Sequence, residues 1–84
     1  MKKFQEKDFL KSSDISLLSA LCVCGYTIQK IERQDSGKAL FWMEKDEQID
    51  DLIQRFFDHK LKVDALGFFN ALKEIKTRIY NVDR

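Results

Sequence analysis

Residues 26–45, YTIQKIERQDSGKALFWMEK, predict a β-hairpin. The first half is rich in tyrosine, threonine and isoleucine, which favour strands. The Asp-Ser-Gly sequence at 35–37 is a turn signal, because glycine readily adopts the positive φ that tight hairpin loops require. We expect strands at 26–34 and 39–45, and the out-of-phase isoleucines of the first strand allow a bulge there.

The second strand of this hairpin has two apolar faces. Ala39, Phe41 and Met43 fall on one face, whereas Leu40 and Trp42 fall on the other. Such a strand needs cover on both sides. Either helices pack on both faces, or one face stays open as an apolar patch that marks a protein contact. Leu40 and Trp42 are therefore candidate interface residues.

Three helical segments flank the hairpin. The first, at 14–24, follows a serine pair that can cap it, ends before Gly25, and is apolar on almost all sides, as in a helix buried on more than one side. The second begins near Asp46, and the third spans 65–80 after a capping Asp64. The second helix has apolar residues at the spacing of one core-facing stripe. These are Ile49, Leu52, Ile53, Phe56 and Phe57.

Together these segments predict an α+β fold, with a β-hairpin packed against three helices in the order α-β-β-α-α. Residues 9–11 can add a short extra strand at the edge of the hairpin. A chain of 84 residues supports one hydrophobic core, so we expect a single domain over 9–80. The ends, 1–8 and 81–84, are expected to be flexible.

The charge is balanced overall but unevenly distributed. Fifteen basic and fourteen acidic residues give a net charge of +1, which provides no global attraction to nucleic acid or membrane. Residues 44–58 hold six acids and two bases, whereas residues 59–84 hold six bases and three acids. No apolar run is long enough to span a membrane, and two cysteines without a signal peptide indicate a reducing, cytoplasmic setting.

Residue types that carry catalysis or bind metals are sparse. Cys22 and Cys24 do not form a Cys-x-x-Cys motif, and their sulfurs point about 200° apart on a helix, so we interpret both as small buried hydrophobes. His59 is alone at a helix exit, where the helix dipole favours it. The carboxylates at 46–51 lack the loop spacing of a calcium site and suit helix capping. We expect no enzymatic activity, cofactor, metal or small-molecule substrate.

A series of short motifs runs through the chain: Ser13-Asp14-Ile15, Gly25-Tyr26, Ile31-Glu32-Arg33, Val63-Asp64, Phe68-Phe69-Asn70-Ala71-Leu72-Lys73 and Lys76-Thr77-Arg78-Ile79-Tyr80. Together they resemble a family of small uncharacterised bacterial and phage domains. The resemblance extends over residues 9–80 and rests mainly on cap, glycine and core positions. It implies a fold and carries no function with it.

The third helix has two neighbouring rows of side chains when projected at about 100° per residue. The core stripe contains Phe68, Leu72, Ile75 and Ile79. The second row contains Phe69, Lys73, Lys76 and Tyr80. Interleaved aromatic and basic side chains can stack on bases and neutralise phosphates. Alternatively, the aromatic residues form the edge of the core and the lysines form a solvated rim.

Two hypotheses for the function follow. The first is a non-enzymatic protein-interaction module, whose partner is another protein or a second copy of the chain, and which uses Leu40 and Trp42 or the surface of the first helix. The alternative is an accessory module that binds DNA or RNA through the second row of the third helix together with Lys60 and Lys62. The near-neutral charge favours the first hypothesis.

Overall fold

The computed structural model describes residues 8–82, which form a three-stranded antiparallel sheet and three helices. In chain order, the elements are β1 (Phe9–Ser12), α1 (Ile15–Val23), β2 (Ile28–Arg33), β3 (Ala39–Glu44), α2 (Ile49–Phe57) and α3 (Ala65–Val82). The α+β class is confirmed, and the anticipated extra strand is β1. Of the ends predicted to be flexible, residues 1–7 and 83–84 lie outside the described part of the chain.

The hairpin β2–β3 forms as its turn signal predicts, and β3 lies between β2 and β1 in the sheet. Gly37 has a φ of +87°, a backbone conformation that residues with a Cβ rarely adopt. The pairing shifts register between Ile28 and Lys30, which places the bulge where the isoleucine spacing allowed it. The central strand β3 therefore pairs with β2 along one edge and with β1 along the other.

The start of α1 differs from the predicted serine cap. Asp14 is the N-cap residue, and its Oδ1 accepts hydrogen bonds from the backbone N–H groups of Ser16 and Leu17, both at 3.1 Å. The Oγ of Ser12 accepts from the N–H of Asp14 at 3.0 Å, and the Oγ of Ser13 donates to the carbonyl of Ala39 at 2.8 Å. Because a carboxylate is the stronger acceptor, Asp14 caps the helix. The hydrogen bond from Ser13 to Ala39 connects the helix start to β3.

The end of α1 explains why β2 begins two residues later than predicted. Gly25 has a φ of +108°, as expected for the residue that follows a helix. The N–H of Tyr26 donates to the carbonyl of Leu21 at 3.1 Å, and the N–H of Gly25 donates to Cys22 at 3.0 Å. Because Tyr26 closes the helix, its backbone cannot also begin the strand, which starts at Ile28.

One hydrophobic core lies between the sheet and the helices. It receives side chains from every helix and from β2 and β3, namely Leu17, Leu18, Leu21, Ile28, Ala39, Phe41, Met43, Ile49 and Ile75. In α1 the five consecutive residues 17–21 are buried, as its largely apolar sequence predicts, and the polar Ser19 is among them. Its Oγ donates to the carbonyl of Ile15 at 2.6 Å, which satisfies the hydroxyl within the helix.

The second helix is shorter than predicted and less apolar at its end. The Oδ1 of Asp46 accepts from the N–H groups of Gln48 and Ile49, so the chain turns at 46–48 before the helix begins. Phe57 was predicted to be part of the core stripe but is 56% exposed. It lies in the last turn and on the edge of the stripe, about 80° from Ile49 in projection.

Candidate functional site: two aromatic and basic surfaces

Trp42 is at the middle of the sheet, on the face opposite the core. Its partner across β1 is Lys11 and its partner across β2 is Lys30, so both lysines share its face. The two ammonium groups lie over the indole, with Nζ atoms 4.2 Å (Lys11) and 4.5 Å (Lys30) from the ring centroid. Both distances are well within the range of a cation–π interaction.

The remaining contacts of Trp42 complete a small cluster. The indole Nε1 donates to Oε1 of Glu32 at 3.2 Å, and the Phe9 ring is tilted against it with centroids 5.6 Å apart. Leu40 lies on the same face opposite Glu32 and is half-buried, as Trp42 is. We call Phe9, Lys11, Lys30, Glu32, Leu40 and Trp42 the tryptophan face.

The tryptophan face resolves the question of how the second apolar side of β3 is covered. The helices pack on the Ala39–Phe41–Met43 side, so they do not form a second layer over Trp42. The lysines and Phe9 of the neighbouring strands cover the indole instead. Long lysine side chains can lay their methylene groups along an apolar surface while their charges stay in water.

The helix α3 positions the second surface. The carboxylate of Asp64 accepts from the N–H of Gly67 at 2.7 Å, which confirms the predicted cap and fixes the first turn. Ile75 is buried at 2% exposure, and Phe68, Leu72 and Ile79 are half-buried on the same side of the helix. The predicted core stripe therefore faces the core, which turns the second row outward.

The outward row consists of exposed side chains. Phe69 is 55% exposed and Tyr80 is 74% exposed, while Lys73 and Lys76 between them are also exposed. Leu66, which the sequence reasoning left out, extends the row by one turn and is 66% exposed. We call these five residues the α3 outer row. Their 3-4-3-4 spacing was visible in the sequence and identifies Leu66 as a member.

The α3 outer row is long, narrow and of one charge sign. It extends from position 66 to position 80, about 21 Å along the helix at about 1.5 Å per residue. In projection its members fall within an arc of about 80°. The Nζ of Lys73 lies 5.3 Å from the centroid of the Phe69 ring. The row contains two ammonium groups and no carboxylate.

The other two predicted nucleic-acid contacts, Lys60 and Lys62, lie outside α3. Lys60 and Lys62 are exposed but belong to the segment between α2 and α3. The N–H of Lys60 donates to the carbonyl of Arg55 at 2.8 Å, as part of the end of α2. The four lysines of the predicted site therefore do not lie on one helix face.

The two cysteines and the single histidine lie at the C-terminal ends of α1 and α2. Burial raises the pKa of the half-buried Cys22 thiol above its ordinary value of 9.0; Glu74 raises it further, and Arg78 lowers it. Cys24 is exposed at the end of α1, so the prediction that both cysteines are buried is wrong for Cys24. His59 follows α2 with a φ of +61°, and its N–H donates to the carbonyl of Phe56 at 3.1 Å.

Tyr26 and Asp46 form a separate polar contact beside an open depression between the end of α1, β2 and the start of α2. The Tyr26 hydroxyl donates to Oδ1 of Asp46 at 2.5 Å. This hydrogen bond raises the pKa of Tyr26 to about 12 and lowers the pKa of Asp46 below its ordinary value of 3.8. Asp46 thus serves as a hydrogen-bond acceptor at the start of α2, as its capping prediction implies.

Over residues 8–82, no three His, Cys, Asp or Glu side chains come together as a metal site requires. None of the helices in this part of the chain has both the length and the apolar character needed to cross a membrane.

The comparisons with known proteins identify a family. Residues 7–81 match the family described as Domain of unknown function (DUF5659). Neither the curated proteins nor the solved structures gave a match. The match covers nearly all of the chain and agrees with the resemblance to small uncharacterised domains. The chain belongs to the DUF5659 family of domains of unknown function.

Proposed function

We propose that this protein is a non-enzymatic protein-interaction module that binds its partner along the α3 outer row. The observation that carries the proposal is the exposure of Leu66, Phe69 and Tyr80 on one helix face. Burying a side chain of this size stabilises a complex by about 1.5–3 kcal/mol relative to leaving it in water. Three such residues in one line provide a surface that gains from being covered.

The composition of the row supports a protein partner. Aromatic residues are enriched in the buried centres of protein interfaces, where they supply large contact areas from few rotatable bonds. Phe69 is a purely apolar ring and Tyr80 combines a ring with a hydroxyl. Since α3 is long and capped by Asp64, the row is presented on a rigid element rather than on a loop.

The tryptophan face is a weaker candidate for the same role. An interface anchor gains free energy when its exposed apolar surface is covered by the partner. Trp42 is already covered by Lys11, Lys30 and Phe9, and its N–H is paired with Glu32. A partner that displaced these groups would first have to break their contacts with the indole.

Nucleic-acid binding is the alternative function, and the lysines of the row favour it. Lys73 and Lys76 can neutralise phosphates while Phe69 and Tyr80 offer rings for stacking. The net charge of +1 is evidence against it, and so is the position of Lys60 and Lys62 outside the helix that carries the row. Few phosphate contacts imply weak binding that falls only gently as salt is added.

A photo-crosslinking experiment tests the proposal. A photoreactive phenylalanine analogue replaces Lys76 in the full chain in living cells, and a matched control carries it at exposed Lys38 in the hairpin turn. We expect a discrete protein adduct from position 76 that disappears when Leu66 and Tyr80 are changed to serine in the same chain. Adducts that are equal at both positions, or that contain nucleic acid instead of protein, contradict the proposal.

A further inference from the structure

The spacing and charge of the α3 outer row together specify the chemistry of its partner. We infer that the row receives an acidic amphipathic helix of another protein, with apolar residues near both ends of the contact and carboxylates at its middle. This inference rests on the proposed function. It adds the partner's secondary structure and charge, neither of which follows from exposure alone.

The helical form of the partner follows from the 3-4-3-4 spacing. Positions 66, 69, 73, 76 and 80 repeat every 3.5 residues on average, which is the spacing at which two helices keep contact along their lengths. A straight, narrow seam of about 21 Å fits the side of another helix better than a flat surface or a loop. The partner helix therefore needs about 14 residues in contact to cover the seam from Leu66 to Tyr80.

The charge of the partner follows from the two central positions. Leu66 and Phe69 are at one end of the row and Tyr80 is at the other, with Lys73 and Lys76 between them. A helix that covers both ends must pass over both ammonium groups and remove part of their water. Carboxylates at the facing positions compensate this loss, whereas apolar or basic residues do not.

A second copy of α3 does not meet these requirements. The row is centred on Lys73, so an antiparallel two-fold pair sets Lys73 against Lys73 of the other copy. A parallel pair also brings identical lysines together. Like charges that face each other across a helix pair destabilise it. The charge pattern thus favours a different protein over self-association through this row.

The acidic helix α2 of a second copy is also a poor fit. It has nine residues, about 13 Å, and therefore cannot reach both ends of the row. Its exposed large apolar side chain is Phe57, at its C-terminal end. One aromatic group can cover either the Leu66 end or the Tyr80 end, and the other end then stays in water.

The test uses the full chain, labelled with ¹⁵N, and two designed helical peptides of about 18 residues, or five turns. Both peptides carry leucine at the outer seam positions; one carries glutamate at the two central seam positions and the other carries lysine there. We expect the glutamate peptide to shift the amide signals of residues 66–80 and to bind about tenfold or more tightly than the lysine peptide. Added salt should weaken its binding.

A charge reversal supplies the decisive control. In the Lys73→Glu, Lys76→Glu double variant the preference should invert, so that the lysine peptide binds more tightly. In the matched Lys60→Glu, Lys62→Glu variant the change in net charge is the same but lies outside the row, and the preference for the glutamate peptide should persist. Both pairs are exposed, so neither variant is expected to impair folding.

The outcomes separate this inference from the proposed function. If both peptides shift residues 66–80 with equal affinity, the charge inference is wrong while the row remains a docking surface. If neither peptide binds, or if a single-stranded oligonucleotide displaces the glutamate peptide from the same residues, the inference is overturned. Salt-sensitive self-association of the chain that is lost in the Lys73→Glu, Lys76→Glu variant also overturns it, because the partner is then a second copy.

Discussion

The tryptophan face and the α3 outer row contain the same kinds of side chain but use them differently. On the sheet, Lys11 and Lys30 come from strands on either side of Trp42, so both ammonium groups reach the indole. On the helix, Lys73 lies beside Phe69, but large parts of Phe69 and Tyr80 remain in water. Cross-strand neighbours enclose a central side chain, whereas a single helical row leaves each residue open outward.

Because of this difference, we expect the tryptophan face to contribute to stability and the α3 outer row to contribute to binding. The contacts of Trp42 are intramolecular and contribute to the folded state. Leu66, Phe69 and Tyr80 are more than half exposed in the chain alone, and the proposed function assigns their exposed surface to a partner. Substitutions on the tryptophan face should therefore affect unfolding, and substitutions on the α3 outer row should affect association.

The largest expected effect on stability is that of Trp42→Ala. It removes the indole that Lys11 and Lys30 lie over, and with it the hydrogen bond to Glu32 and the ring contact with Phe9. Because Trp42 is half-buried, we expect the free energy of unfolding to fall by about 2 kcal/mol, below the range of about 3–5 kcal/mol for a fully buried aromatic residue. Urea unfolding followed by far-UV circular dichroism measures this, since the variant lacks the chain's one tryptophan.

The control is Trp42→Phe, which keeps a ring between the lysines but cannot donate to Glu32. We expect it to lose less than Trp42→Ala. A Trp42→Ala variant as stable as the unaltered protein would mean that the tryptophan face is not a structural cluster, and it would return Leu40 and Trp42 to the position of candidate anchors.

A smaller effect is expected for Asp64→Ala, which removes the cap of the helix that presents the outer row. The N–H of Gly67 loses its 2.7 Å acceptor, and such a loss costs about 1 kcal/mol. Asp64→Asn, which retains a capping oxygen, should recover most of the stability. Amide hydrogen exchange at 65–68 measures the fraying directly. Unchanged exchange in Asp64→Ala would show that packing alone holds the first turn and its Leu66.

The hydrogen bond from Tyr26 to Asp46 is a third surface contact, and both of its partners belong to the chain itself. The folded-state pKa of Tyr26, about 12, lies above its ordinary value of 10.0, so its contribution to stability is complete below pH 10 and is lost as the pH rises through 12. The pKa of Asp46 is lowered below 3.8, so its contribution is present above that pH and is lost as the pH falls below it. Tyr26→Phe should reduce stability most between these limits.

The measurement is the difference in urea midpoint between the unaltered protein and Tyr26→Phe across this pH range. The tyrosinate absorbance of the unaltered protein, less that of Tyr26→Phe, should follow a titration near pH 12. A difference spectrum that titrates near 10 instead would indicate that the hydrogen bond to Asp46 is absent in solution.

The smallest effect on stability is expected on the outer row itself. Phe69→Ala and Tyr80→Ala each remove a ring that is mostly in water, so the free energy of unfolding should change by no more than about 0.5 kcal/mol. The same urea titration measures both. A loss well above 1 kcal/mol would show that these rings support the core edge, which was the alternative interpretation of the row.

Local signals in the sequence were sufficient for most of the fold. Gly37 and Gly25 mark a turn and a helix end, and Asp64 marks a helix start, because each is determined by the residue's own backbone or by neighbours a few positions away. The displaced start of β2 could not be read in this way. It depends on the use of the Tyr26 N–H by α1, and the sequence permits either use.

The α3 outer row and the tryptophan face also differ in how far the sequence alone predicts them. The α3 outer row lies on one helix, so the spacing alone identifies it, including the missed Leu66. The cover over Trp42 depends on the register between β1 and β3, which brings Lys11 next to a residue far away in the chain. Periodicity shows that a second apolar face exists but not which side chains from other strands lie over it.

The most direct test of the central claim compares the two surfaces in one crosslinking measurement. The photoreactive phenylalanine analogue is placed at Lys76 on the α3 outer row and, in a second chain, at exposed Lys30 on the tryptophan face. We predict a discrete protein adduct at position 76 that is lost in the Leu66→Ser, Tyr80→Ser background, and none of that adduct at position 30. The same adduct at position 30, with or without one at position 76, would contradict it.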